Sequence, residues 1–150
     1  MEQRRFVNEK MQALENFCRQ QGVPLTIQRR IILEALASRK DHPTADHIYD
    51  AVRGVIKGVS RTTVYRVLET FVRLGIVAKV SNPQAKARFD ADTERHHHLI
   101  CTGCDAVVDC RDERLNGIDL PSDIHAGFEI RDFSLAITGI CSSCRKNNMH

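Results

Sequence analysis

The sequence predicts an α+β fold in two parts, a helical N-terminal part that closes in a hairpin and a strand-rich C-terminal part. Three observations predict it. Apolar residues recur at helical spacing up to residue 75 and in shorter, strand-like runs beyond it. Cap and breaker residues fall at the ends of the periodic runs. The charge divides in the same way: residues 1–88 carry 16 Lys/Arg against 8 Asp/Glu, a net of +8, and residues 89–150 carry 6 against 11, a net of −5.

In chain order, residues 3–20 place Phe6, Met11, Leu14, Phe17 and Cys18 on one helical stripe, which Gly22-Val23-Pro24 ends. Thr26 is set to cap a helix over Ile27–Ser38, with Ile31, Ile32, Ala35 and Leu36 turned inward. His42-Pro43 reads as a loop. Thr44 caps a third helix that buries Ala45, Ile48, Ala51 and Val52, and Gly58 closes it. Ser60 caps a fourth, with Val64, Val67, Leu68, Phe71 and Val72 on its apolar face and Gly75 beyond its end. Its other face carries Thr62, Tyr65, Arg66, Glu69 and Arg73. Ile76–Val80 and Ala87–Ala91 read as strands around the turn Ser81-Asn82-Pro83-Gln84. A capping first helix, three more helices and a hairpin is the order of a winged helix-turn-helix.

The second part reads as strands His97–Cys101 and Ala106–Cys110 about the turn Thr102-Gly103-Cys104-Asp105. Arg111–Ile118 reads as a short helix, Ser122 as the cap of a helical turn reaching Gly127, and Phe128–Ile140 as a long strand region.

The chain of 150 residues is 42% hydrophobic, enough for one ordinary domain or two small ones. No apolar run has the roughly 18 residues a membrane span needs. Met1–Lys10 is polar and lacks the apolar stretch of a secretory leader, so a cytoplasmic location is expected. A basic half joined to an acidic one points to a polyanionic partner for the first. In such a compartment the six cysteines are expected as metal ligands or free thiols rather than disulfides.

Three constellations carry chemistry. Cys101-x-x-Cys104 and Cys141-x-x-Cys144 repeat one spacing, and two such pairs close a tetrahedral four-thiolate site with no position left for water, the form of structural zinc. His96-His97-His98 precedes the first pair; on a strand His96 and His98 share one face and His97 takes the other. Asp90, Asp92 and Asp109 lie near in sequence. Mixed His/Asp ligation without cysteine suits Fe(II), Mn(II) or Zn(II), and oxygen donors shift the preference toward iron and manganese. The third constellation is Arg61, Thr62, Tyr65 and Arg66 on the fourth helix, residue types suited to phosphate contact and groove reading.

Read together, these segments resemble the ferric uptake regulator family over nearly the whole chain. The resemblance is carried by Leu25-Thr26-x-Gln28-Arg29, His42-Pro43-Thr44-Ala45-Asp46-x-Ile48-Tyr49, Thr63-Val64-Tyr65-Arg66-x-Leu68 and Arg88-Phe89-Asp90. It continues through His96-x-His98-Leu99-Ile100-Cys101-x-x-Cys104, Val107-Val108-Asp109 and Gly139-Ile140-Cys141-x-x-Cys144. It implies an α+β protein with a winged helix-turn-helix DNA-binding domain over residues 1–84 and an α/β dimerisation domain with structural zinc over residues 85–150. It also implies a homodimer that represses transcription by binding double-stranded operator DNA. The implied regulatory ligands for Fe(II) or Mn(II) are His42, Asp90, His96, His98 and Asp109. Aspartate at both 90 and 109 resembles the peroxide-sensing members, in which oxidation of a histidine ligand (here His42 or His96) releases DNA. Tyr65-Arg66-Val67 looks more like the iron-uptake branch, so an iron- or manganese-responsive regulator without peroxide sensing stands as the alternative. An extra metal site of some relatives needs ligands near 95, 97, 116 and 133, where this chain has Arg95, His97, Asn116 and Phe133.

An enzyme is not expected. A zinc deaminase needs His-x-Glu and Pro-Cys-x-x-Cys, and neither occurs; nor does Gly-x-Ser-x-Gly or a Gly-rich phosphate loop. His47, His125 and His150 read as surface residues, Cys18 as core, and Cys110 as turned away from Asp109 by strand alternation.

Overall fold

A computed structural model describes residues 1–82, 85–121 and 126–147. The chain falls into two compact units, Met1–Thr93 and Glu94–His150.

The first unit runs α1 (Glu2–Gln21), α2 (Ile27–Ala37), α3 (Ala45–Val52), α4 (Arg61–Arg73), β1 (Ala78–Val80) and β2 (Arg88–Asp90). The caps fall where the sequence places them. Thr26 Oγ1 accepts the Arg29 N–H at 3.2 Å, and Ser60 Oγ accepts that of Thr63 at 3.1 Å. Thr44 accepts the His47 N–H at 3.2 Å while His47 Nδ1 accepts the Thr44 N–H at 3.3 Å, a reciprocal box that satisfies two orphan donors. The exposed His47 thus shapes the start of α3. Gly22, at φ 63°, supplies the left-handed turn that ends α1.

The apolar stripes of α1 to α4 meet in one core. Leu14, Ile32, Leu33, Leu36, Ile48, Val52, Val64, Leu68 and Phe71 are buried in it, joined by Phe89 from β2 and by Cys18. Phe71 and Phe89 are 0% and 1% exposed, and truncating a phenylalanine so buried to alanine costs about 3–5 kcal/mol. The hairpin β1–β2 is antiparallel, with Lys79 opposite Phe89. Strand β1 starts two residues later than the periodicity predicts, because the N–H groups of Ile76 and Val77 are both taken by the Phe71 carbonyl. Pro83 and Gln84 of the expected turn lie outside the described residues.

The second unit holds β3 (His97–Cys101), β4 (Val107–Cys110), α5 (Glu113–Asn116), β5 (Ala136–Gly139) and α6 (Ser142–Asn147). The sheet order is β4-β3-β5, antiparallel between β3 and β4 and parallel between β3 and β5. The predicted strand region Phe128–Ile140 shrinks to the four residues of β5. Pairing with β3 sets that limit. Among the described residues no strand pairs with Phe128 or Ile130, which stand 77% and 45% exposed, and the Leu135 N–H goes to the His97 ring rather than to a ladder. The predicted helix Arg111–Ile118 is one turn, with Asp112 accepting the Arg114 N–H at 2.9 Å. Helix α6, which periodicity does not predict, starts inside the second cysteine pair. The expected cap Ser122, its turn toward Gly127, and the surface positions His125 and His150 lie outside the described residues, apart from Ala126 and Gly127, which form a turn. No helix among the described residues is long and apolar enough to cross a membrane.

Candidate metal centres and DNA-binding face

The four cysteines converge. The first pair sits on the turn after β3, and the second brackets the start of α6. Their four sulfur atoms all lie within 4.8 Å of one another, with Cys104 Sγ 3.8 Å from Cys141 Sγ. Backbone amides point at the sulfurs. Gly103 and Cys141 N–H each donate to Cys101 Sγ at 3.3 Å, and Cys144 N–H donates to Cys141 Sγ at 3.5 Å. Such bonds favour thiolates. Without a cation the cluster cannot ionise evenly. The Cys101 thiol is held down to about 6, chiefly by the Cys141 backbone amide. The Cys144 thiol is pushed up to about 12, first by its hydrogen bond with Cys141. A divalent ion resolves that conflict, and four sulfurs with no other donor are the ligand set of structural zinc. Gly103 leaves the room this needs: a Cβ there would stand 3.0 Å from Cys144 Sγ.

A second set of donors lies ahead of this cluster. His96 and His98 share one side, ring centroids 4.6 Å apart. The β3–β4 register places Asp109 opposite His98. Its Oδ1 is 3.2 Å from His96 Nε2 and 3.7 Å from His98 Nε2. His96 Nδ1 donates to the Glu94 carbonyl at 2.6 Å, which leaves Nε2 as the ligating nitrogen. His97 goes the other way, as alternation requires. It is fully buried, accepts the Leu135 N–H on Nδ1 at 3.0 Å and stacks on Phe133.

In the first unit His42 and Asp90 form a pair of their own, Nε2 to Oδ2 at 3.2 Å. Asp90 Oδ1 accepts the Asp92 N–H, which orients the carboxylate. Asp92 thereby supports Asp90. His42 adopts φ 50°, a left-handed conformation that costs a non-glycine residue on the order of 1–3 kcal/mol and that clusters at functional positions. Arg88 fixes it by donating to the His42 carbonyl at 3.1 Å. Histidines, carboxylates and no sulfur form the harder donor type suited to Fe(II) or Mn(II).

Positions 95, 97, 116 and 133 do not assemble a donor set. The Arg95 guanidinium lies 4.5 Å from the centre of the Phe133 ring, on which His97 also stacks. Cys110 is half-buried, and Cys18 sits in the first unit's core.

Arg61, Thr62, Tyr65 and Arg66 are all exposed on α4, whose other face buries Val64, Leu68 and Phe71. Glu69 accepts from Lys79 Nζ at 2.5 Å, tying that helix to the hairpin. Three contacts escape a reading of periodicity: Arg61 lies over the Tyr49 ring and pairs with Asp46, which also takes Lys86 from the hairpin loop. The fourth helix and the hairpin beside it take the places of the last helix and the wing of a winged helix.

Fold and donor sets together define a class, the metal-responsive winged-helix transcriptional repressors. The chain belongs to the ferric uptake regulator family, which matches residues 20–138. It is 36% identical to the peroxide operon regulator of Bacillus subtilis over 143 residues, covering 95% of this chain and 98% of that one. It is 36% identical to the peroxide-responsive repressor PerR of Staphylococcus aureus over 127 residues, covering 85% and 86%. Among solved structures, the iron-containing ferric uptake regulator of Francisella tularensis matches with a TM-score of 0.68 at 27% identity, covering 83% and 96%.

Proposed function

We propose that the chain represses transcription as a homodimer on operator DNA when Fe(II) or Mn(II) occupies a regulatory site built from His42, Asp90, His96, His98 and Asp109. The observation that carries this reading is the donor count. His42 and Asp90 offer two donors, and His96, His98 and Asp109 offer three. Neither set alone fills the coordination shell of a six-coordinate first-row ion, and the two are complementary in type. An ion bound by both sets favours whichever arrangement of the units satisfies them together, by its differential affinity for that arrangement. Zinc in the four-cysteine cluster holds β3, β4, β5 and α6 together and stays out of the regulatory exchange.

The dimer is supported by an apolar row. The register aligns Leu99, Val108 and Ile137 across the three strands, and they stand 42%, 55% and 38% exposed. Phe128, Ile130 and Ile140 add further exposed apolar surface in the same unit. A second copy of the unit is the occupant that suits it. Two copies present two α4 helices, and their spacing decides whether both meet successive major grooves. Arg61, Thr62, Tyr65 and Arg66 make the contacts. The protein is a regulator rather than a catalyst.

The likeness to two peroxide regulators, with aspartate at 90 and 109, supports a further step in which peroxide ends repression. Iron held by these residues would activate peroxide. The imidazole of His42 or His96 would supply both electrons, taking up one peroxide oxygen while the other leaves as water, and the oxidised ring would lose its ligating power and leave the site short of a donor. Mass spectrometry of tryptic peptides tests this. Fe(II)-loaded protein treated with peroxide should gain one oxygen on His42 or His96 and release DNA, while Mn(II)-loaded protein keeps both. An iron form that holds its DNA with both peptides unmodified would establish a metal-level sensor instead.

A further inference from the structure

Asp46 belongs to neither donor set, yet it holds two cations of the winged helix, Arg61 and Lys86. It stands in the first turn of α3, where the helix dipole favours an anion. Its Oδ1 accepts from Arg61 Nη1 at 2.7 Å, at the first residue of α4. Its Oδ2 accepts from Lys86 Nζ, in the loop of the wing. The Arg61 guanidinium is also held over Tyr49, 4.5 Å from the ring centre and one turn further along α3. The two bonds keep the Asp46 carboxyl below the usual carboxylate range, Lys86 first and Arg61 second, so it is ionised at neutral pH.

The backbone beneath Asp46 is fixed as well. Thr44 and His47 close the capping box around it, Pro43 O accepts the Phe89 N–H at 2.9 Å, and Thr44 bridges to Arg88. One carboxylate on a rigid base therefore joins two cations from two elements of the DNA-facing surface. A negative charge there opposes the phosphate backbone and lowers affinity for DNA of any sequence. What it contributes in return is geometry, since free Arg and Lys side chains sample many rotamers.

We propose that Asp46 is a positioning residue for DNA recognition: it presets Arg61 of the recognition helix and Lys86 of the wing as one fork, trading general affinity for discrimination. The inference rests on the reading of α4 and the wing as the DNA-contacting surface.

The test uses full-length, Mn(II)-loaded protein and two duplexes. One is selected by the wild type from a random-sequence pool, and the other is its scrambled counterpart. Asp46→Asn should weaken binding to the selected duplex about tenfold and leave the scrambled duplex unchanged or tighter, so the ratio of affinities falls at least about tenfold. Asp46→Glu, which keeps the charge, should restore most of the ratio, as a purely structural role for the residue would not. Lys86→Gln, at a side chain that is 67% exposed, should lower the ratio in the same direction. The double variant should lose no more than Asp46→Asn alone, because the two act as one unit. An Asp46→Asn ratio within about twofold of a discriminating wild type, or strictly additive losses, would overturn the inference and leave the DNA reading standing. A wild type that binds both duplexes equally would overturn the DNA reading and the inference with it.

Discussion

Replacing Gly103 by alanine tests the four-cysteine cluster without removing a ligand. The backbone at Gly103 is outside the left-handed region, so alanine meets no conformational barrier. The obstacle is one side chain: the new methyl would stand 3.0 Å from Cys144 Sγ and 3.2 Å from Cys144 Cβ. Ordinary contacts of this kind begin near 3.4 Å, so Cys144 must retreat by several tenths of an ångström. In metal-free protein the thiol rotates and the segment bearing Cys144 gives by a few tenths of an ångström, so the variant should lose less than about 1 kcal/mol of stability. With an ion bound, the sulfur cannot move without lengthening its bond. Overpacking of this kind costs about 1–3 kcal/mol, which corresponds to a loss of about 5- to 150-fold in metal affinity. Chelator competition for zinc, with thermal melts of loaded and metal-free protein, separates the two. Zinc held within about twofold of the wild-type affinity would refute the closed-cluster geometry.

Other perturbations reach the remaining surfaces. Arg66→Ala should weaken binding to the selected duplex by about 1–3 kcal/mol, with dimer and metal content unchanged; full-strength binding would move the reading surface elsewhere. Val108→Asp places a charge in the exposed apolar row and should shift sedimentation from dimer to monomer, while an intact dimer would place the interface on another face. Thr44→Ala removes one half of the capping box and should cost about 0.5–2 kcal/mol in chemical unfolding. A variant as stable as the wild type would show that the backbone bridge to Arg88 suffices.

Helices α2, α3 and α4 were legible because their N-caps are side chains read from local sequence. Thr26, Thr44 and Ser60 sit where the hydrogen bonds place them. The three-histidine run was legible for a similar reason, since alternation alone puts His97 opposite His96 and His98. The strand at the C-terminal end was not. Its length is set by how much of β3 is available for pairing, which Phe128–Ile140 does not encode locally. Helix α6 was missed because its start is tied to the fold of the cysteine knuckle, where Cys141 O accepts the Arg145 N–H, rather than to an apolar stripe. The role of Asp46 was illegible for the same reason as most ion pairs: its partners lie 15 and 40 residues away.

The central claim is that a regulatory ion held by both donor sets switches DNA binding while zinc does not. The most direct measurement is the anisotropy of a labelled, wild-type-selected duplex as Mn(II) is titrated into zinc-loaded protein, wild type beside His42→Ala. The account predicts saturable, Mn(II)-dependent binding for the wild type. For His42→Ala it predicts no Mn(II)-dependent binding, with zinc content and dimer mass unchanged. Binding by His42→Ala at the wild-type manganese midpoint, or wild-type binding that ignores manganese, would contradict it.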